Sequence, residues 1–137
     1  MGLDVGDKRI GVALSDPEGV LTSELTTILR KGEEADLEAI LNLVRQHGAE
    51  RIVVGLPLSM DGSIGQQAEK VLAFSRLLAR HAHIPVDNWD ERLSTVAANR
   101  AMVEAGVKRA KKKERRDSLA AAIMLQTYLD RQRHSSG

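Results

Sequence analysis

Cysteine is absent from the chain of 137 residues. Its absence excludes disulfide bonds, thiol catalysis and thiolate metal sites, and because it suits a reducing compartment we expect a cytoplasmic protein. Aromatic residues are almost as scarce, since Phe74, Trp89 and Tyr128 are the only three. We therefore do not expect a nucleic-acid surface built from stacked aromatic side chains.

Long apolar runs are missing as well. None approaches the roughly 20 residues that a membrane-spanning helix requires, and the first residues lack the pattern of a signal peptide, so we expect no membrane association. Hydrophobic residues make up 42% of the chain and charged residues 28%, which is typical of a folded globular protein rather than a disordered or fibrous one. The length corresponds to one domain.

Charge is distributed unevenly along the chain. The whole chain carries +1, but the window from Lys108 to Arg116 holds seven basic residues and one acidic residue, a net charge of +6, so that the other residues sum to −5. A local positive field on an acidic body favours binding of a polyanion, although a solvated basic linker would have the same composition. The nucleic-acid-binding candidates in this basic run are Lys108, Arg109, Lys111, Lys112, Lys113, Arg115 and Arg116.

Hydrophobic periodicity predicts three strands in a meander, followed by alternating helices and strands. The predicted strands are Gly2–Val5, Ile10–Leu14, Val20–Leu29, Arg51–Gly55 and Ile84–Trp89. The predicted helices are Glu33–His47, Ser63 to about Arg80, Ser94–Ala105 and Asp117 to about Arg131. This order predicts an α/β fold in which a mixed five-stranded sheet carries helices on both faces. We expect one domain over residues 1–131, followed by a polar tail, 132–137, that frays.

Turn and cap signals mark several of these boundaries. The segment Asp16–Gly19 has proline and glycine where a type I turn prefers them, and Gly48 stands where a helix-ending glycine belongs. Ser63 and Gln66 have the spacing of a capping box, which predicts that Ser63 caps the second helix.

Carboxylates stand at three informative places in this scheme. Asp4 interrupts the apolar first strand, which we expect to be central, and burying an unpaired charge there would be costly. Asp90 and Glu91 end the last strand, and Asp117 opens the last helix. Ligand sites in open α/β sheets form at the carboxyl ends of strands, so these acids are candidates for one shared site.

A cluster of carboxylates persists when it is protonated or when it holds cations. Hard oxygen ligands select Mg²⁺ or Mn²⁺, and a pair of such ions can activate water and stabilise the leaving oxygen in phosphodiester hydrolysis. The basic run before Asp117 would then hold the flanking phosphates. The pattern therefore predicts a metal-dependent nuclease.

Each candidate also has a simpler interpretation. Asp117 would serve as a helix cap if it stood alone, and Asp90 or Glu91 would pair with Arg92 on the surface. Lys8 and Arg9 lie near Asp4 and either contact phosphate or solubilise a turn. Lys8, Arg9 and Arg92 complete the set of predicted nucleic-acid contacts.

Four segments resemble, in order, the signatures of the YqgF/RuvX family, whose ribonuclease H-like fold is related to the RuvC Holliday-junction resolvase. These segments are Gly2–Ala13, Val54–Ser63, Asp90–Thr95 and Lys111–Gln126. The resemblance implies a nuclease that matures the 5′ end of pre-16S ribosomal RNA, with resolvase activity on branched DNA. It also implies Asp4, Glu91 and Asp117 as the metal-binding acids. We prefer Glu91 to Asp90 for its longer reach and assign Asp90 a supporting position.

The expected partners are thus precursor rRNA or branched DNA, together with Mg²⁺ or Mn²⁺. A resolvase that cuts both strands would require a homodimer. A non-catalytic RNA-binding or assembly module on the same fold remains the alternative function.

Overall fold

The computed structural model describes residues 1–93 and 114–136, including their side chains except those of residues 114–116 and 134–136. The strands are β1 (Gly2–Val5), β2 (Arg9–Ser15), β3 (Thr22–Leu29), β4 (Ile52–Leu56) and β5 (Val86–Asp90). The helices in these ranges are α1 (Glu33–His47), α2 (Gln66–Ala82) and α3 (Glu114–Ser136), with a 3-10 turn at Glu91–Leu93 after β5. None of these helices is both long and apolar enough to cross a bilayer.

The five strands form one mixed sheet in the order β3-β2-β1-β4-β5. The pairs β3–β2 and β2–β1 are antiparallel, whereas β1–β4 and β4–β5 are parallel. The predicted mixed sheet, its meander and the central position of β1 are confirmed. Because β1, β4 and β5 run in the same direction, their carboxyl ends lie along one edge of the sheet.

Side chains alternate along each strand and enter two separate cores, one on each face of the sheet. The core between the sheet and the helix pair α1 and α2 includes Leu3, Val5, Ile10, Val12, Ile40, Val54, Phe74 and Leu78. The core beneath α3 includes Ala13, Val53, Ala121, Met124, Leu125 and Tyr128. The prediction of helices on both faces is therefore confirmed.

Arg30 fixes the turn between β1 and β2. The turn closes with a hydrogen bond from the Gly6 backbone N–H to the Arg9 carbonyl at 2.8 Å. The Arg30 guanidinium donates to the Gly6 carbonyl at 2.9 Å and, through Nε, to the buried Asp36 carboxylate at 2.9 Å. The Gly6 carbonyl and the Asp36 carboxylate thus bind the same guanidinium, which fixes the position of the turn that follows β1.

The start of α2 differs from the prediction. The helix begins at Gln66 after Gly65, and no side chain caps it. Instead, the Ser63 hydroxyl donates to Asp61 Oδ1 at 2.7 Å, and the Ser63 N–H donates to the same oxygen at 2.9 Å. The capping-box prediction is wrong because Ser63 is used to close the loop that precedes the helix.

The bounds of α3 also differ from the prediction. Among the described residues the helix spans Glu114–Ser136, so it already includes three residues before Asp117 and continues past Arg131. The expected frayed tail at 132–137 is therefore helical as far as Ser136. Polar residues such as Gln132 favour helix without requiring burial, so apolar periodicity does not mark where such a helix stops.

Candidate active site

Asp4 lies on the α3 side of the sheet, near the carboxyl end of β1. Its neighbours Leu3 and Val5 belong to the opposite core, and side chains alternate along a strand. Gly2, on the same side as Asp4, is packed against α3 so closely that a Cβ placed on it would lie 2.9 Å from Leu125 Cβ. Asp4 is thus a half-buried residue in the central strand, on the face of the sheet that α3 covers.

Gly11 brings Asp117 to Asp4. It pairs with Asp4 across the β1–β2 ladder. A Cβ placed on Gly11 would lie 2.0 Å from the Asp117 carbonyl oxygen and 2.2 Å from its carbon. The backbone of α3 at Asp117 therefore rests directly on Gly11, an approach that only glycine permits.

The observed start of α3 bears on the role of Asp117. Because the helix already includes Glu114, Asp117 lies inside it and is not the capping residue. The simpler interpretation of Asp117 as a cap is therefore wrong.

Gly55 brings Glu91 to the other side of Asp4. The parallel register pairs Leu3 with Val54, which places the next residues, Asp4 and Gly55, on neighbouring strands at the same level. A Cβ placed on Gly55 would lie 2.7 Å from Glu91 Oε1 and 3.3 Å from its carboxyl carbon. Glu91 is 9% exposed, so its carboxylate is held against Gly55 rather than projecting into solvent.

Asp90 has a different role from its neighbour Glu91. Its carboxylate accepts hydrogen bonds from Arg92 Nη2 at 2.7 Å and from Arg92 Nε at 3.1 Å, and its Oδ1 also accepts from the Arg92 backbone N–H at 2.9 Å. These hydrogen bonds hold the pKa of the Asp90 carboxyl below its usual range. The predicted surface pair with Arg92 therefore forms, and it uses Asp90, which favours Glu91 as the residue directed to the site.

The sheet thus places the three predicted acids around β1. Asp4 lies between Gly11 and Gly55 on the neighbouring strands. The backbone of Asp117 packs against Gly11, and the carboxylate of Glu91 packs against Gly55. All three offer hard oxygen donors, the ligand type that Mg²⁺ and Mn²⁺ prefer. Within residues 1–93 and 114–136, however, no group of three histidine, aspartate or glutamate side chains is close enough, as positioned, to hold a metal ion. The donor chemistry of the three acids fits a divalent cation.

The predicted basic residues fall into three groups, according to how much of each the structure describes. Lys8 and Arg9 lie at the turn after β1, on the same edge of the sheet as Asp4. The Arg92 guanidinium is engaged by Asp90, as described above. Outside the described residues lie Lys108, Arg109, Lys111, Lys112 and Lys113, together with the predicted helix 94–105. Arg115 and Arg116 belong to the first turn of α3, but their side chains are not among those described.

Sequence reasoning missed the two glycines that bring the acids together. A glycine inside a strand often marks a close approach by another part of the molecule, and Gly11 and Gly55 both stand in apolar strand segments. A further carboxylate, Glu24 on β3, accepts a hydrogen bond at 3.1 Å from the buried hydroxyl of Ser118, next to Asp117. No local sequence signal connects Glu24 to α3, because the two residues are 94 positions apart.

Known proteins resemble this chain in sequence and in structure. Residues 1–131 match the family described as RuvX: Holliday junction resolvase. A Moorella thermoacetica protein with the name "Putative pre-16S rRNA nuclease" is 53% identical over 131 residues, covering 96% of this chain and 94% of its own. A Clostridium kluyveri protein of the same name is 50% identical over 131 residues, covering 96% of both chains.

Solved structures of Thermus thermophilus RuvC share the fold. RuvC in complex with a Holliday junction substrate superposes with a TM-score of 0.61 at 14% identity, covering 96% of this chain and 93% of that one. A second RuvC structure gives a TM-score of 0.54 at 16% identity, with coverage of 96% and 95%. The predicted ribonuclease H-like fold is therefore confirmed.

Proposed function

Because the chain belongs to the RuvX family, we propose that it is a divalent-metal-dependent endonuclease that hydrolyses phosphodiester bonds in nucleic acid. The observation that carries this proposal is the arrangement of Asp4, Glu91 and Asp117 at one edge and on one face of the sheet. These residues come from a strand, a turn and a helix that are far apart in sequence. Burying side chains of one charge together is costly unless a cation compensates them.

We propose precursor rRNA as the principal substrate, with cleavage in 5′ maturation of pre-16S rRNA, since the relatives at about half identity carry that name. Branched DNA is the second substrate class, on the strength of the family description. Processing of rRNA implies a cytoplasmic location. Cutting both strands of a junction would require two copies of the chain, so the proposal includes a homodimer for that substrate.

Bound Mg²⁺ or Mn²⁺ would supply Lewis-acid stabilisation of the phosphate and an activated water. The chain's own residues have distinct tasks. Asp4 supplies an oxygen donor from the most constrained strand of the sheet. Glu91 and Asp117 supply donors from a turn and a helix, at residues that lie against Gly55 and Gly11 respectively. Lys8, Arg9 and the basic run neutralise the flanking phosphates and orient the strand to be cut.

The test is cleavage of a precursor rRNA fragment, a single-stranded RNA and a four-way DNA junction with Mg²⁺ or Mn²⁺. Asp4→Asn, Glu91→Gln and Asp117→Asn are each expected to lower the rate by more than about 100-fold, because even residues one shell away from a metal typically cost 10–100-fold. The matched control is Asp7→Asn, which removes an exposed carboxylate just beyond β1 whose nearest basic partner, Lys70, is 3.8 Å away. Its rate should match that of the wild type. Cleavage that survives in Asp4→Asn would assign the activity to other residues or to a contaminant.

A non-catalytic RNA-binding module is the second candidate. The observation that favours it is that the three carboxylates do not, as positioned, form a metal-binding group within the described residues. This function predicts that the wild type binds precursor rRNA tightly but neither cleaves it nor takes up Mn²⁺. Calorimetry with Mn²⁺ on the wild type and on Asp4→Asn separates the two functions, because only the nuclease should lose a binding event in the variant.

A further inference from the structure

Arg92 links two segments of the chain. One is the turn that contains Glu91, and the other is the loop between β4 and α2. On one side, its Nε and Nη2 donate hydrogen bonds to the two carboxylate oxygens of Asp90. On the other side, its Nη1 donates to the Met60 carbonyl at 3.2 Å, across 32 positions of sequence. A planar guanidinium thus links the end of β5 with a loop that follows the neighbouring strand.

The loop is shaped to receive this guanidinium. Gly62 has a φ of 87° and leaves a space there, since a Cβ placed on it would lie 3.2 Å from Arg92 Nη1. The loop is closed by its own hydrogen bonds, from the Gly62 N–H to the Ser59 carbonyl at 2.8 Å and from the Ser63 N–H to Asp61. Arg92 therefore contacts a loop whose conformation is stabilised by internal hydrogen bonds.

Glu91 lies between the two residues of this contact. Asp90, before it, is held through its carboxylate, and Arg92, after it, is held through its backbone N–H and its guanidinium. Because both flanking residues are held, the backbone position of Glu91 is set, and its carboxylate lies against Gly55. The same arrangement directs three of the five guanidinium N–H groups of Arg92 to protein oxygens.

We propose that Arg92 is a positioning residue, which sets the Glu91 carboxylate in the acidic site by tying its turn to the loop between β4 and α2, rather than a residue that binds substrate phosphate. The proposal rests on the nuclease function described above. It predicts that loss of the guanidinium impairs the binding of the divalent ion and the rate of cleavage, but leaves the affinity for nucleic acid intact.

Trp89 offers a readout that is independent of activity. It is the only tryptophan of the chain, it precedes Glu91 by two positions, and it pairs with Gly55 in the β4–β5 ladder. Quenching of its fluorescence by Mn²⁺ therefore reports ion binding next to Glu91. For Arg92→Gln and for Asp90→Asn we expect about a tenfold weaker Mn²⁺ response and a similarly lower kcat, with an unchanged KM for RNA.

Two comparisons sharpen this test. Arg92→Lys keeps the charge but lacks the planar fork, so it should remain nearly as impaired as Arg92→Gln, whereas a purely electrostatic role would be rescued. Arg45→Gln, at an exposed arginine on α1 on the opposite face of the sheet, should behave as the wild type. Thermal melts of each variant identify any that does not fold, in which case Asp90→Asn, which removes the negative charge and one acceptor oxygen of the pair instead of the donor, decides the question.

The outcomes separate this inference from the function on which it rests. A raised KM for RNA in Arg92→Gln, with a log–log salt slope smaller by about 0.7 and an unaltered Mn²⁺ response, would make Arg92 a phosphate ligand and overturn the positioning role. A fully active Arg92→Gln would overturn it as well. If the wild type neither cleaves nor responds to Mn²⁺, the nuclease proposal fails and the positioning role is rejected with it.

Discussion

The carboxylate of Glu91 occupies the space above Gly55 that a side chain at position 55 would fill, with Oε1 2.7 Å from the place of a Cβ. On the other side of Asp4, the backbone of Asp117 occupies the corresponding space above Gly11. The two contacts differ in kind, because one involves the end of a flexible side chain and the other involves the main chain of a helix. That difference determines what a methyl group at each glycine should do.

Alanine at position 55 should impair cleavage with little loss of stability. In Gly55→Ala the methyl group meets the end of a flexible side chain, that of Glu91, rather than backbone, so the melting temperature should stay close to that of the wild type. The displaced carboxylate should lower the rate by about tenfold or more, since misplacement by about 1 Å can cost 100-fold.

The matched control for this prediction is Gly2→Ala on β1, which adds a methyl group on the same face of the sheet but against Leu125 of α3 rather than against an acid. This variant should lose stability while the folded fraction keeps its activity. A normally active Gly55→Ala would show that the position of Glu91 over Gly55 does not matter for catalysis.

Alanine at position 11 should lower both the stability of the fold and the rate of cleavage. In Gly11→Ala the methyl group would meet the Asp117 carbonyl at about 2.0 Å, so the start of α3 must shift. Overpacking of this kind typically costs about 1–3 kcal/mol in unfolding free energy. Urea denaturation should show this loss, and cleavage should fall because Asp117 moves with the helix. Wild-type stability in Gly11→Ala would mean that α3 does not pack against β2 at this point.

The pair between Arg30 and Asp36 should be important for stability. Asp36 is 2% exposed, and it accepts from Arg30 Nε at 2.9 Å and from the Lys31 N–H at 3.0 Å. Asp36→Ala should cost about 3 kcal/mol, because it leaves a partly buried guanidinium without its carboxylate. Asp7→Ala, which removes an exposed carboxylate 3.8 Å from Lys70, should cost less than about 1 kcal/mol. Equal denaturation midpoints for the two variants would contradict this ranking.

Tyr128 should make stability depend on pH in alkaline solution. Burial and the hydrogen bond that its hydroxyl donates to Asp87 at 2.9 Å both raise the pKa of Tyr128 above its usual value of about 10. The folded state therefore favours the neutral phenol. This contribution is complete below about pH 10 and is lost as the pH rises through the folded-state pKa. The stability difference between the wild type and Tyr128→Phe should therefore shrink above about pH 10, and a constant difference would exclude this linkage.

The basic run should control the salt dependence of nucleic-acid binding. Replacing Lys111, Lys112 and Lys113 by glutamine should weaken binding to RNA and lower the log–log salt slope by about 0.7 for each phosphate that is no longer neutralised. Filter binding at several salt concentrations measures the slope, with Lys31→Gln, on the chain between β3 and α1, as a single-charge comparison. An unchanged slope in the triple variant would exclude this run as the binding surface.

Short-range pattern was sufficient for much of this protein. Short apolar runs located all five strands, and the central position of β1 followed from the order of the elements. Asp4 stood out as a candidate from its place in an apolar strand. The same kind of pattern misplaced the starts of α2 and α3, because polar residues such as Ser63 bond equally well within a loop or to a helix end.

The contacts that bring these residues into one site depend on strand register and strand order. A short stretch of sequence contains neither. Gly11 and Gly55 are far apart in sequence, yet they flank Asp4 because β1 lies between β2 and β4. The choice between Asp90 and Glu91 likewise depended on packing, because the Glu91 carboxylate lies against Gly55 of the neighbouring strand whereas Asp90 accepts hydrogen bonds from Arg92. Local chemistry thus identified the acids, the basic run and the sheet, whereas only the packed chain decided which backbone lies against which glycine, because close approach is a property of two distant segments together.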